Sequence, residues 1–91
     1  MQELRQGMYA RSLAGHDKGH LYVILAVDGE YVYLADGKTR TVDRPKKKKI
    51  RHIQPDFHMD AVIKEKLDLA VPVRDEDLKK AIKLKEEPSR R

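Results

Sequence analysis

The fold of this chain is decided by residues 21–35, which read LYVILAVDGEYVYLA. Residues 21–27 form one run of apolar and β-branched residues, and residues 31–35 form another. The pair Asp28-Gly29 lies between them, and Asp-Gly between two such runs is typical of a tight hairpin turn. The segment therefore predicts two antiparallel strands joined by a short turn.

Further short strands are predicted on both sides of this hairpin. Residues 7–13 precede it, residues 38–42 follow a second pair, Asp36-Gly37, and residues 50–53 come last, ended by Pro55. Alternation in residues 38–42 places Lys38, Arg40 and Val42 on one face. Five short strands favour a small closed barrel, because closure removes the exposed edges of an antiparallel sheet. We expect a mainly β fold, with an SH3-like barrel of about five strands in residues 1–55.

The apolar spacing changes from Phe57 onward and becomes helical. A first helix is expected there, with Asp56 or Asp60 as its N-cap and an end at Val71-Pro72. A second helix is expected to begin in the acidic turn at residues 75–77 and to end among lysines, as the helix dipole favours. Two short helices in residues 56–91 therefore form a C-terminal extension, with residues 86–91 as a frayed end. The apolar positions of the two helices are Met59, Val62, Ile63, Leu67, Ala70, Leu78, Ala81 and Ile82.

Positive charge is concentrated in one part of the chain. Residues 1–55 contain 11 Lys and Arg against 6 Asp and Glu, a net charge of +5, whereas residues 56–91 contain 9 of each. Residues 38–52 alone contain eight basic residues and one acid, Asp43, a net charge of +7. Such a local excess indicates a polyanionic partner, either nucleic acid or an anionic membrane surface.

Several functional classes find no support in the sequence. The chain has no cysteine, which excludes disulfides, thiolate metal sites and thiol nucleophiles. Ser12 and Ser89 have no neighbouring catalytic group, so we expect a protein that is not an enzyme and needs no cofactor. His16 and His20 are four residues apart, but they lie in a glycine-rich loop rather than on a helix, so we expect no metal site. The polar N-terminus and the lack of an apolar run of about 18 residues predict a cytoplasmic protein with no membrane partner.

Three segments together resemble a known family: residues 14–19 (AGHDKG), residues 35–40 (ADGKTR) and residues 44–53 (RPKKKKIRHI). They are similar to the small bacterial KOW-domain RNA-binding proteins related to ribosomal large-subunit protein fourteen-e. The resemblance covers residues 5–55, with Met8 and Ala10 where KOW sequences commonly have valines. It implies an SH3-like barrel, binding to structured, ribosomal RNA, and association with the ribosome or translation, with ribosomal proteins as further partners.

The candidate RNA-binding residues form two groups. The basic strip can track a phosphate backbone, and its arginines can also bind phosphate bidentately. The glycine loop, residues 14–20, can bring backbone amides close to a phosphate, and Arg11 precedes it. The role of Asp17, either RNA contact or brace for the turn, stays open at this point. The candidates are Lys38, Arg40, Arg44, Lys46, Lys47, Lys48, Lys49, Arg51 and His52 in the basic strip, and Arg11, Gly15, His16, Lys18, Gly19 and His20 around the glycine loop.

Tyr31 and Tyr33 share one face of their strand, so they either stack on unpaired bases or pack in the core. The alternative function is a protein-interaction adaptor, in which the apolar stripes of the helices cover either the barrel or a partner. A third option is electrostatic binding of the same lysines to anionic lipid, which lacks an amphipathic basic helix to support it. Nothing in the sequence requires more than a monomer.

Overall fold

The computed structural model describes residues 3–87, so Ser89 and most of the expected frayed end lie outside the described residues. Five strands form one antiparallel sheet in the order β4-β3-β2-β1-β5, and two helices follow. The backbone hydrogen bonds leave this sheet open, with β4 and β5 as its edges. The expectation of a mainly β fold followed by two helices is thus confirmed. The elements are β1 (Met8–Ser12), β2 (Leu21–Asp28), β3 (Tyr31–Ala35), β4 (Lys46–Lys49), a 3-10 turn (Ile50–His52), β5 (Ile53–Met59), α1 (Ala61–Asp68) and α2 (Asp75–Glu86).

The hairpin expected from residues 21–35 is formed by β2 and β3. Its last pair is Asp28 opposite Tyr31, and Gly29 in the turn has a φ of 60°. A bulge between Ile24 and Ala26 shifts the register within the hairpin. The strand expected upstream is also present, as β1, which pairs with both β2 and β5.

The strand expected at residues 38–42 is wrong. Residues 36–40 form a loop in which the Asp36 side chain accepts hydrogen bonds from the backbone N–H groups of Lys38 and Arg40, both at 2.9 Å. These local bonds use donors that a strand would have offered to its neighbour. The fourth strand is instead β4, four consecutive lysines.

The last strand also differs from the expectation. Residues 50–52 form the 3-10 turn, and β5 continues past Pro55 to Met59. Proline is compatible with this position because β5 is an edge strand, where one missing N–H breaks no second ladder. The expected helix start at Phe57 therefore moves downstream, to Ala61.

The sheet is buried on both faces. Tyr22 and Ile24 of β2 belong to a first core cluster with Val32 and Leu34 of β3. Their neighbours Leu21 and Val23 point to the opposite face and belong to a second cluster. A strand covered on both faces needs apolar residues at successive positions, which explains the apolar run from Leu21 to Ile24. Further along β2, Ala26 and Val27 are exposed.

The second cluster is completed by the helices. Ile63, Leu78 and Ala81 are almost fully buried against the sheet, and Leu67 and Ile82 pack beside them. The Tyr9 hydroxyl donates a hydrogen bond to the Ala81 carbonyl at 3.2 Å. The apolar stripe of α2 and part of that of α1 therefore cover the sheet, whereas Val62 of α1 is 43% exposed.

An aspartate side chain stabilises the start of each helix, as the N-cap of α1 and from within the first turn of α2. Asp60 accepts hydrogen bonds from the N–H groups of Val62 and Ile63 at 3.0 and 3.1 Å, as one of the two expected caps. The Asp77 carboxylate accepts from the Arg74 N–H at 2.9 Å, at the start of α2. Helix α1 ends at Asp68, before Val71-Pro72, and Ala70 then takes a left-handed φ of 58°.

Candidate nucleic-acid interface

The alternation of β4 divides its four lysines between two faces of the sheet. Lys46 and Lys48 are paired with Leu34 and Val32, whose side chains lie in the first core cluster. Lys47 and Lys49 are paired with Tyr33 and Tyr31. Because residues directly opposite each other share a face, one pair of lysines points inward and the other outward.

The inward lysines close an ionic cluster around Asp17, which we call the Asp17 cluster. Lys46 Nζ lies 2.9 Å from Asp17 Oδ2, and Lys48 Nζ lies 3.3 Å from Asp17 Oδ1. The Ser12 and Tyr22 hydroxyls donate to the same carboxylate at 2.8 and 2.7 Å. The side chains of Asp17 and Lys48 are only 15% and 10% exposed, so this is a partly buried charge cluster.

The electrostatics of the cluster favour an ionised Asp17. Burial would raise the pKa of this carboxyl, but the hydrogen bonds from Lys46, Tyr22, Ser12 and Lys48 outweigh it and hold the pKa well below its usual value. Burial raises the pKa of the Tyr22 hydroxyl, and the hydrogen bond to Asp17 raises it further. Asp17 therefore braces the glycine loop against β4, the structural role that the sequence left open.

The outward lysines lie beside two tyrosines. Tyr31 and Tyr33 are half-buried, and neither belongs to a core cluster of the described residues. Lys47 Nζ lies 4.4 Å from the centre of the Tyr31 ring, a cation–π distance. We call Tyr31, Tyr33, Lys47 and Lys49 the tyrosine–lysine face.

A buried carboxylate organises the loop that follows β3. Asp36 is 5% exposed and accepts from the Thr39 hydroxyl at 2.7 Å as well as from the two backbone N–H groups. Burial alone would raise the pKa of Asp36, but the hydrogen bonds from Arg40, Thr39, Lys38 and His20 lower it to about 2. The loop formed in this way presents Lys38 and Arg40 to solvent.

His20 connects this loop to the glycine loop. Its Nε2 lies 2.6 Å from Asp36 Oδ2, and its ring centre lies 4.6 Å from that of Tyr22. Arg11 holds the other side of the glycine loop, because it donates to the Gly19 carbonyl at 2.7 Å and pairs with Glu86 at 3.4 Å. Two loops that are 16 residues apart in sequence are thus held side by side.

The structure separates the sequence-predicted candidates into engaged and free groups. Lys46, Lys48, Arg11 and His20 have carboxylate partners. His16 and Lys18 are exposed on the glycine loop. In the same loop, Gly15 and Gly19 have φ values of 86° and 90°. His52 is half-buried, and its carbonyl accepts a hydrogen bond from the Leu13 N–H. Within residues 3–87, no carboxylate oxygen lies within 4.0 Å of the charged groups of Lys18, Lys38, Arg40, Arg44, Lys47, Lys49 or Arg51.

Sequence reasoning missed Ser12, Tyr22 and Asp36 as organisers of this surface. Ser12 and Tyr22 carried no polar pattern, since both lie in apolar strands. Asp36 was interpreted only as part of an Asp-Gly turn. An aspartate commonly accepts hydrogen bonds from residues two to four positions later in its own loop. The positions of Lys38, Thr39 and Arg40 after Asp36 fit this pattern, which could have indicated the role of Asp36 from the sequence.

The described part of the chain has neither a metal-binding cluster nor a helix that could cross a membrane. Residues 3–87 contain no group of three or more His, Asp or Glu side chains arranged to hold a metal ion. No helix among these residues combines the length and apolar character needed to cross a membrane. The search against protein-family models finds none that matches this chain, and no curated protein matches it significantly.

Proposed function

We propose that this protein is a non-enzymatic RNA-binding protein whose primary contact surface is the tyrosine–lysine face. The observation that carries the proposal is the division of β4 into neutralised inward lysines and free outward ones beside half-buried tyrosines. The two inward lysines form ion pairs with Asp17, so their presence is explained by a structural role in the fold. The outward pair makes no ion pair within the described residues, although Lys47 contacts the Tyr31 ring, and it fits a phosphate backbone.

The chemistry of this face matches single-stranded or splayed RNA. Each base stacked on an aromatic side chain contributes about 1–3 kcal/mol, and every base can stack. Lys47 and Lys49 lie on the same face as the rings and can neutralise the phosphates on either side of a stacked base. Lys38, Arg40, Arg44 and Arg51, which are exposed on adjoining segments, extend the positive surface.

The resemblance to KOW-domain proteins supports the same proposal at the level of fold. We propose that the sheet is of the SH3-like KOW type, supported by its strand order, its antiparallel pairing and the 3-10 turn between the last two strands. The Asp17 cluster bridges edge strand β4 to the loop after β1, as a small barrel requires. Ribosomal RNA, ribosomal proteins and a cytoplasmic location are proposed from the resemblance alone.

The adaptor alternative depended on apolar stripes available to a partner. Of those residues, Ile63, Leu67, Leu78, Ala81 and Ile82 pack against the sheet, whereas Val62 and Ala70 are exposed. RNA binding is therefore the function that the geometry supports best.

The proposal is tested by comparing pairs of lysines that carry the same charge. The outward variant K47Q/K49Q should weaken RNA binding and lower the log–log salt slope by about 1.4–1.8, from about 0.7–0.9 per phosphate contact. The control K64Q/K80Q removes the same charge from exposed helix positions and should leave affinity within about twofold. The inward variant K46Q/K48Q should mainly lower thermal stability.

A second arm tests stacking. Tyr33→Ala should weaken binding of a single-stranded oligonucleotide about 5- to 150-fold, the equivalent of about 1–3 kcal/mol. Tyr33→Phe keeps the ring and should bind like the wild type. Absence of binding to any RNA at low salt, or equal effects of the outward and control pairs, overturns the proposal and makes a protein adaptor the leading explanation.

A further inference from the structure

A groove lies between the glycine loop, the loop after β3 and helix α2. Its volume is about 750 Å³, within the range of roughly 300–1,000 Å³ common for small-molecule sites. Gly19 and His20 line one side, Asp36 and Lys38 the next, and α2 the third. The groove therefore brings the C-terminal helices, which carry no net charge as a segment, against the basic part of the chain.

The apolar part of the lining is formed by Leu21 and Ile82. Leu21 is 3% exposed and Ile82 is partly buried, and both belong to the second core cluster. An apolar surface of this kind can pack against the face of a flat ring, and no polar group of the protein is buried against the ring. Both residues are held by the packing of α2 on the sheet, so the surface is rigid.

The charged part of the lining is segregated along α2. Lys79 and Lys83 are one helical turn apart and line the groove together with Lys38 of the facing loop. None of the three has a carboxylate within 4.0 Å among residues 3–87. Glu86 and Glu87 lie at the far end of the helix. The groove thus has three free cations along its rim and hydrogen-bond acceptors at one end.

His20 is fixed at the mouth of the groove. Its Nε2 lies 2.6 Å from Oδ2 of the buried Asp36, and this hydrogen bond orients the ring. No hydrogen bond to its Nδ1 is present within the described residues. A held ring with one open nitrogen, beside an apolar surface and lysines, is suited to recognise a nucleotide.

Resting on the proposed function, we propose that this groove holds one unstacked nucleotide of the bound RNA. The base lies against Ile82, the partly buried apolar residue of the lining, beside the His20 ring, and the flanking phosphates contact Lys38, Lys79 and Lys83. Strand β3 connects the two surfaces, because Tyr33 lies only three residues before Asp36, about 10 Å along an extended strand. A single strand lying on the tyrosine–lysine face can therefore continue into the groove. Helix α2 is then part of the RNA-binding surface as well as a cover for the sheet.

The test uses glutamine substitutions, because the stem of Lys79 packs closely against Gly37 and glutamine keeps most of that stem. K79Q/K83Q should weaken binding of a mixed-sequence single-stranded oligonucleotide about 5- to 20-fold, and lower its salt slope by about 1.4. K64Q/K80Q, with the same change of charge on exposed helix surface, should remain within about twofold of the wild type. For a fully paired RNA duplex, which offers no unstacked base, K79Q/K83Q and K64Q/K80Q should behave alike.

A second measurement locates the site directly. Titration of the wild-type protein with cytidine monophosphate should shift the backbone amide resonances of Gly19, His20, Leu21 and Ile82, and K79Q/K83Q should suppress those shifts. If K47Q/K49Q weakens RNA binding while K79Q/K83Q matches the control and the nucleotide shifts none of these amides, the groove inference is overturned and the proposed function stands. If the wild type binds neither RNA, the proposed function is overturned together with the groove inference.

Discussion

Replacement of Asp17 by asparagine should destabilise the fold although the two side chains have nearly the same size. Asp17 accepts hydrogen bonds from Ser12, Tyr22, Lys46 and Lys48. Asparagine offers one neutral acceptor in place of four charged lone-pair positions. The variant leaves the two lysines close together with no carboxylate between them.

The magnitude follows from how well each lysine can escape into water. Lys46 is 26% exposed and can rotate outward, whereas Lys48 is 10% exposed and keeps only its hydrogen bond to the Ala14 carbonyl, at 3.1 Å. Hydrogen bonds to charged groups contribute about 1.5–3 kcal/mol each, and the bond from the poorly exposed Lys48 accounts for most of the loss. We expect the free energy of unfolding to fall by about 2–3 kcal/mol, which corresponds to a decrease in Tm of about 8–24 °C in a domain of this size.

The assay is thermal and urea unfolding followed by circular dichroism. Asp43→Asn, at an exposed loop position, removes the same charge and serves as the control. Because the folded-state pKa of Asp17 is lowered, its contribution is complete above the unfolded value of about 3.9 and is lost as the pH falls below it. The gap between the wild type and Asp17→Asn should therefore be full at pH 7 and shrink below about pH 4. A Tm for Asp17→Asn equal to that of Asp43→Asn at pH 7 would refute the reasoning.

Four further predictions concern packing and acid stability. Gly37→Ala should destabilise the fold by about 2–4 kcal/mol, because a Cβ there would lie 2.4 Å from the Asp75 carbonyl oxygen. Gly19→Ala is the control: Gly19 has a similar φ of 90° with no atom within 4 Å of an added Cβ, so this variant should show the backbone strain alone in the same melts. Tyr9→Phe should lose about 1 kcal/mol in urea titrations through its bond to the Ala81 carbonyl; no change would mean that water replaces it. The wild type should lose stability between about pH 4 and pH 2, on the order of 2 kcal/mol from Asp36 alone. Because the folded pKa of Asp36 is about 2, its contribution is complete above the ordinary carboxyl pKa of 3.8 and is lost as the pH falls below it; a flat profile of unfolding free energy over this range contradicts the assignment. A chain ending at Pro55 should fail to fold, because it lacks half of β5 and both helices that cover the sheet; a dispersed amide spectrum from that fragment would contradict this.

The parts of the fold that depend on neighbouring residues could be predicted from the sequence. The β2–β3 hairpin follows from Asp28-Gly29 between two apolar runs, and the presence of α1 follows from the helical spacing of its apolar residues. The start of α1 was not fixed locally, because Asp56 and Asp60 were both possible caps. The prediction failed where a local interaction competed with pairing, as in the loop after β3. It failed again at β4, because four lysines have low strand propensity and nothing local marks them as a strand.

In the candidate site too, features set by residue type and local spacing could be predicted, and features set by distant contacts could not. The concentration of basic residues at positions 38–52 and the glycine loop could be recognised in the sequence, as could the shared face of Tyr31 and Tyr33. Which lysines remain available to a ligand could not, because the answer depends on Asp17, which is 29 and 31 residues away from Lys46 and Lys48. The contribution of α2 to the groove was equally hidden, since its lysines are balanced in sequence by nearby acids and are separated from them only by helix geometry.

The sequence by itself determined the β-hairpin, the helical character of the C-terminal part and the excess of positive charge, because each depends on residue type and short-range spacing. Only the tertiary structure decided that the helices cover the sheet, that two lysines of β4 are neutralised while two face outward beside tyrosines, and that α2 meets the glycine loop in a groove. The physical reason is that a strand's alternation assigns side chains to two faces, but only its pairing with distant strands and loops sets what each face meets.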